Sequence, residues 1–113
     1  YSNVAGACIE GGTTDSPDLP PLANHLSQNY PNPFNGTTTI AYSVAGRCEV
    51  DIRIFDAAGR LVKVLERKTR NAGRYETLWR GEDGTGGDVA SGIYFCRISA
   101  GSFSQTKKIV YVR

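Results

Sequence analysis

The chain has 113 residues, of which 40% are hydrophobic and 21% charged, and its formal net charge is +2 at pH 7. This composition is typical of one soluble globular domain with a linker, and it argues against a disordered chain. The absence of a run of about 20 apolar residues argues against a membrane span. The small net charge and the scattered basic residues argue against nucleic-acid binding. One histidine leaves too few ligands for a usual zinc site.

The first part of the chain is rich in glycine and proline and predicts a tail or linker over residues 1–25, with residues 13–27 as its most linker-like part. Residues 1–10, "YSNVAGACIE", are expected to be either frayed chain or a strand that belongs to another unit. Because the chain begins with Tyr1 rather than Met, we expect a processed product or a piece of a longer protein.

The segment "QNYPNPFNG" places Tyr30 and Phe34 among two prolines. Pro31 and Pro33 fix φ, remove two backbone donors and push the residues before them into extended geometry. Disordered segments are poor in aromatic residues, because such side chains favour burial. We therefore expect a stiff lead-in that packs both rings against one end of the core.

Short segments of alternating apolar and polar residues follow, separated by turn residues about every ten positions. The six clearest predicted strands cover residues 37–44, 48–55, 61–67, 74–80, 93–99 and 102–113. A seventh strand is possible around residues 88–90, and no segment has helical periodicity. The pattern predicts an all-β sandwich, with Trp79 and Tyr94 as core aromatic residues.

Catalytic signals are weak, so the chain is not expected to be an enzyme. His25, the only histidine, falls in the linker, where no scaffold would hold it as a general base. Glu49 and Asp51 lie on the polar face of one strand, where carboxylates are usually solvated rather than paired in a pocket.

Two polar groups need separate interpretations. The loop "GEDGTGGD" offers Glu82, Asp83 and Asp88 as calcium ligands, but without the spacing of an EF-hand. The simpler interpretation is that its glycines serve turns and its acids stay in solvent. Lys107 and Lys108 are interpreted as charges that protect an edge strand from unwanted pairing.

Several separated segments, in the expected order, resemble the C-terminal sorting domains of proteins exported by the type IX secretion system. They are "LSQNYPNPFNGTTTIAYSV", "IFDAAGRLVKVL", "NAGRYETLWRGEDGTGGDVASGIYFCRI" and "SQTKKIVYVR". They also resemble the immunoglobulin-like domain of the flagellar hook scaffold protein FlgD. The resemblance implies a seven-stranded immunoglobulin-like or fibronectin III-like sandwich over residues 26–113. This chain has Gly36 where the family usually has proline, and we expect a turn that needs freer φ there.

The resemblance implies a non-catalytic sorting and anchoring domain without a cofactor, at the C-terminus of a protein exported through the periplasm to the cell surface. Its partners would be the secretion and surface-attachment machinery. The implied recognition residues are Asn29, Tyr30, Pro31, Asn32, Pro33, Phe34, Lys107 and Lys108. The alternative is a structural subunit of an extracellular filament, which polymerises by strand addition through residues 1–10.

The last prediction concerns the bonding state of the three cysteines. In an immunoglobulin-like sandwich the second and sixth strands face each other across the core, so Cys48 and Cys96 are expected to form a disulfide. Two buried thiols are the alternative, because cysteine is among the most buried residue types. Cys8 would then be a free thiol or form an intermolecular bridge.

Overall fold

A computed structural model describes residues 23–113, which form seven antiparallel strands in two sheets. The strands are β1 (His25–Leu26), β2 (Thr38–Val44), β3 (Cys48–Asp56), β4 (Leu61–Arg70), β5 (Gly73–Trp79), β6 (Gly92–Ala100) and β7 (Phe103–Tyr111). The three-stranded sheet has the order β1-β2-β5 and the four-stranded sheet the order β4-β3-β6-β7. Over this range no residue is helical, and no helix is available to cross a membrane. The predicted all-β sandwich is confirmed.

The core lies between the two sheets and is built from alternate residues of the strands. In β3, Val50, Ile52 and Ile54 are fully buried, whereas the residues between them are partly exposed. The same alternation holds in β2 and β6, because successive side chains of a strand point to opposite faces. Full burial of each such aliphatic side chain contributes roughly 1.5–3 kcal/mol, so this alternation decides which face of each strand turns inward.

The first strand was not expected. His25 and Leu26 pair with Ser43 and Tyr42 of β2, and Leu26 is fully buried. The region suggested for a seventh strand, residues 88–90, instead contributes one isolated bridge between Asp88 and Glu82. Two residues are too short for a period of two to be recognised, so β1 was assigned to the linker.

The predicted disulfide between Cys48 and Cys96 is wrong, because Cys96 is a buried free thiol. The strands that carry these residues, β3 and β6, are neighbours in one sheet and do not face each other across the core. The register places Cys96 opposite Ile54. Ile54 is six residues, or about 20 Å, along β3 from Cys48. A disulfide needs Cα atoms roughly 4.4–6.8 Å apart. Cys48 itself is disulfide-bonded, and Cys8 lies outside the described residues, as does the segment 1–10.

Candidate recognition site at the last strand

Residues 26–34, here named the clamp segment, run along the outer edge of the four-stranded sheet, where β7 is the last strand. The Phe34 N–H donates to the Val110 carbonyl oxygen at 3.0 Å, and the Val112 N–H donates to the Phe34 carbonyl oxygen at 2.8 Å. This pairing is a parallel bridge between Phe34 and Tyr111. The clamp segment therefore adds a short stretch of backbone pairing to β7.

The other side of the clamp segment is attached to β2 of the three-stranded sheet. Tyr30 and Thr39 exchange two backbone hydrogen bonds of 3.0 and 2.9 Å. The Asn29 side-chain amide, only 4% exposed, donates to the Thr38 hydroxyl at 2.9 Å and to the Pro31 carbonyl oxygen at 3.1 Å. Since its other contacts are with β7, the segment joins the two sheets.

Side-chain amides satisfy part of the β7 edge that no strand of residues 23–113 covers. Gln28 Nε2 donates to the Lys108 carbonyl oxygen at 2.7 Å, and Asn32 Oδ1 accepts the Val110 N–H at 2.9 Å. An edge strand presents unpaired backbone donors and acceptors that invite pairing with other chains. The amide side chains of "QNYPN" imitate a backbone partner here, where prolines remove main-chain donors.

The two aromatic residues of the clamp segment have opposite environments. Phe34 is 2% exposed and stacks on Tyr111 with ring centroids 4.8 Å apart, as expected. Tyr30 is 79% exposed, so the prediction that its ring packs on the core is wrong. Adjacent residues of an extended chain point to opposite sides, and the buried Asn29 side chain takes the inward direction next to Tyr30.

Phe34 belongs to a cluster of four aromatic rings at one end of the sandwich. Trp79 is the centre of this cluster, with centroid distances of 5.5 Å to Phe34, 5.3 Å to Tyr94 and 6.0 Å to Tyr111. The indole N–H of Trp79 donates to the Glu82 carbonyl oxygen at 2.8 Å, so its one polar group is satisfied. The predicted burial of Trp79 and Tyr94 is confirmed.

A cluster of polar side chains, which the sequence analysis did not predict, links the two sheets at another place. The Tyr42 hydroxyl on β2 donates to the Glu66 carboxylate on β4, which also accepts from Arg70 Nη2 at 2.7 Å. The Arg70 guanidinium lies 4.5 Å from the ring centroid of Tyr75, which stacks on Tyr42. Burial, followed by the hydrogen bond to Glu66, raises the pKa of Tyr42 well above its usual value. The phenol therefore stays protonated and keeps donating.

The acidic loop before β6 uses its carboxylates within the protein. Glu82 accepts from Lys63 Nζ at 2.9 Å; burial opposes ionisation, but this bond and a backbone N–H lower the pKa of Glu82 overall. The Asp83 pKa is lowered by the Thr85 hydroxyl and by backbone donors of the same loop. Asp88 is exposed. Within residues 23–113, no three metal-ligating side chains are grouped so that they could hold an ion.

The remaining candidate side chains do not form a catalytic pair. Burial raises the pKa of the Cys96 thiol to about 12, so it is not a thiolate at neutral pH. His25 is exposed on β1, in the other sheet. On β7, Lys107 lies opposite Cys96, and Lys108 lies opposite Phe95 on the outer face.

A sequence model described as "Secretion system C-terminal sorting domain" matches residues 28–112. The chain belongs to this family. The match runs from the clamp segment to just beyond β7, so the sorting domain includes both partners of the edge contact described above. No curated protein sequence matches the chain.

Two solved structures contain a part that is similar to this sorting domain. One is dimeric latent PorU from Porphyromonas gingivalis, with a TM-score of 0.61 and 21% identity over 83% of the chain. The other is PorZ from the same bacterium, an essential surface component of its type IX secretion system, with a TM-score of 0.51 and 20% identity over 80% of the chain. The matches cover 10% and 11% of those proteins, so the chain spans about a tenth of their length and the similarity concerns the fold alone.

Proposed function

We propose that residues 26–113 act as a non-catalytic sorting and anchoring domain, which directs a larger protein through the type IX secretion system to the cell surface by way of the periplasm. The family match over residues 28–112 is the observation that carries this proposal. The secretion and surface-attachment machinery would be the partner. Cys96 is buried and protonated and His25 is exposed, so neither side chain is proposed as a nucleophile or a general base.

We further propose that the sandwich is of the immunoglobulin-like, fibronectin III-like type. Its fourth strand pairs with the third in the four-stranded sheet. In constant-type immunoglobulin domains the fourth strand instead joins the sheet of the first, second and fifth strands. A relation to the FlgD immunoglobulin-like domain is part of the same proposal and rests on sequence resemblance.

The clamp segment and β7 are the proposed recognition surface. Asn29 and Phe34 act by holding the segment in place, because both side chains are buried. Tyr30, at 79% exposure, and Lys108 are available to a partner. Large aromatic side chains are enriched at protein interfaces, and an exposed ammonium group attracts an acidic partner surface.

The test fuses the 113-residue chain to an unrelated periplasmic protein in a host that has the type IX machinery. We expect the fusion on the cell surface, and a fusion without β7 in the periplasm, since loss of this strand exposes the core face of β6. If the intact fusion stays in the periplasm while an established sorting domain exports the same cargo, the proposal is refuted. Concentration-dependent assembly of the purified chain, measured by light scattering, would then favour a structural subunit.

A further inference from the structure

The outer face of the four-stranded sheet, directed away from the core, is not polar throughout. Three of its aliphatic side chains are substantially exposed: Leu61 by 50%, Ile93 by 44% and Val64 by 38%. Surface apolar residues are common singly, but a contiguous group marks an interaction site. Together with their neighbours on adjacent strands they form the outer patch, defined as Phe55, Leu61, Val64, Ile93, Phe95, Arg97 and Lys108.

The strand register places these residues side by side. Phe55 on β3 lies opposite Leu61 on β4 and opposite Phe95 on β6, and Phe95 lies opposite Lys108 on β7. One row therefore crosses all four strands with three apolar side chains and a cation at its end. A shallow hollow between the strands is lined by Phe55, Phe95 and Arg97, among others. Asp56 also lines it, but its carboxylate is engaged by Arg60 at 3.2 Å.

The charges of the outer patch are unbalanced. Arg97 is exposed, with its guanidinium 5.7 Å from the ring centroid of Phe55, and Lys108 is also exposed. Neither forms an ion pair with any residue of the described range, whereas the nearby Arg53 is engaged by Asp51 at 2.7 and 3.0 Å. Two uncompensated cations thus flank an apolar centre.

We propose that the outer patch is a docking site for a protein partner that presents carboxylates around an apolar centre. The inference rests on the proposed sorting function, in which the partner belongs to the export or attachment machinery. Charge complementarity selects an acidic surface, since opposite potentials steer association and like charges repel. A second copy fits poorly, because its own outer patch would present cations and no carboxylate to Arg97 and Lys108.

The size of this face suits a transient contact. Four strands spaced about 4.8 Å apart, each about 30 Å long, offer roughly 500 Å². Stable complexes usually bury about 800 Å² on each partner, and smaller contacts are typical of short-lived encounters. A contact of this size therefore favours a transient partner of the export or attachment machinery over a permanent one.

The first test compares charge reversals on the two outer faces in the exported fusion. Arg97→Glu reverses an outer-patch charge, and Arg74→Glu reverses an exposed arginine on β5, in the other sheet. Reversal within a complementary contact costs more than 1.4 kcal/mol, so we expect Arg97→Glu to lower surface delivery roughly tenfold or more. Arg74→Glu should deliver like the unaltered fusion, and Arg97→Lys should retain most delivery. Equal thermal midpoints of the purified variants exclude a folding defect.

The second test identifies the occupant by photo-crosslinking in exporting cells. Thr106, an exposed residue lining the hollow, is replaced by p-benzoylphenylalanine, and Glu76 on the three-stranded sheet is the matched control position. We expect position 106, and not position 76, to give an adduct with another protein at a peptide rich in Asp and Glu.

The inference would be overturned by normal delivery of Arg97→Glu or by an equal loss of delivery with Arg74→Glu. An adduct to the same chain or to a second copy, or absence of the expected adduct in cells that export the fusion, would also overturn it. Failure of the unaltered fusion to reach the surface is a different result, because it refutes the sorting function itself.

Discussion

Gly81 occupies a position that should not tolerate a side chain. The substitution Gly81→Ala therefore tests how the aromatic cluster stabilises the sandwich. The backbone φ of Gly81 is +72°, in the left-handed region. An added Cβ would overlap Tyr111 Cζ and lie 2.7 Å from its hydroxyl oxygen and 2.8 Å from Cε1. The ring has little room to move, because it stacks on Phe34 and is 7% exposed.

The expected cost has two sources. A non-glycine residue in the left-handed region costs roughly 1–2 kcal/mol. Displacing the Tyr111 ring gives up burial worth about 1.5–3 kcal/mol and a stacking term of about 0.5–1.5 kcal/mol. We expect the free energy of unfolding to fall by about 3–6.5 kcal/mol, a large part of the 5–15 kcal/mol typical of such domains. The thermal midpoint should fall by at least about 12 °C.

Urea titration followed by tryptophan fluorescence is a direct assay, because Trp79 is the chain's single tryptophan and lies in the affected cluster. Gly36→Ala is the matched control: its φ is not positive and its Cβ would meet nothing within 4 Å. We expect it to be neutral or to stabilise by up to about 1 kcal/mol through the unfolded state. In a Tyr111→Ala background, Gly81→Ala should cost only the backbone term of about 1–2 kcal/mol. A cost below about 1 kcal/mol in the wild-type chain, or an equal cost in both backgrounds, would refute this reasoning.

Three further predictions concern other parts of the sandwich. Asn29→Ala should lower the free energy of unfolding by about 1–3 kcal/mol, because it removes a buried amide that hydrogen-bonds within the clamp segment and to β2. Asn35→Ala, at an exposed asparagine just after Phe34, should change this free energy little. Equal effects of the two substitutions would contradict the role given to Asn29. The raised pKa of Tyr42 means that folding favours the neutral phenol, so this stabilisation is complete below the ordinary tyrosine pKa of about 10 and is lost as pH rises above it. Urea titrations from pH 8 to 11 should therefore show that the free energy of unfolding falls more steeply with pH for the wild type than for Tyr42→Phe. Parallel curves for the two proteins would contradict the role given to the Tyr42 hydroxyl. Cys96 should resist iodoacetamide at pH 8 in the native protein and react after unfolding, as followed by mass spectrometry; rapid native labelling would show that this thiol is not buried.

Sequence alone predicted those strands whose burial alternates strictly. In β3 and β6 the inward positions carry apolar residues and the outward positions polar or partly exposed ones, so a period of two was visible. The predicted end of β4 at residue 67 was short of Arg70, because this strand is at a sheet edge and its alternation is weak. Gly36 was expected in a turn that needs freer φ than proline allows, and its φ is not positive.

The errors arose where the partner of a residue lies far away in sequence. Whether β3 and β6 face each other or pair within a sheet decides the distance between Cys48 and Cys96, and neither strand's composition contains this information. The contact of Tyr42 with Glu66 likewise joins strands of different sheets, 24 positions apart. Local periodicity indicates which face of a strand is buried, but not which residue it meets there.

The clamp segment has a consequence for the order of folding during synthesis. Its bonds to β7 join residues separated by 76 to 80 positions, as in the contacts of Gln28 and Asn32 with Lys108. At usual translation rates of 5–20 residues per second, the clamp segment emerges roughly 4–16 s before its partner strand. During this interval neither the edge of the four-stranded sheet nor the aromatic cluster is complete. If synthesis terminates before β7, the clamp segment of the released chain has no partner strand. Only a chain that includes β7 can form this sheet edge.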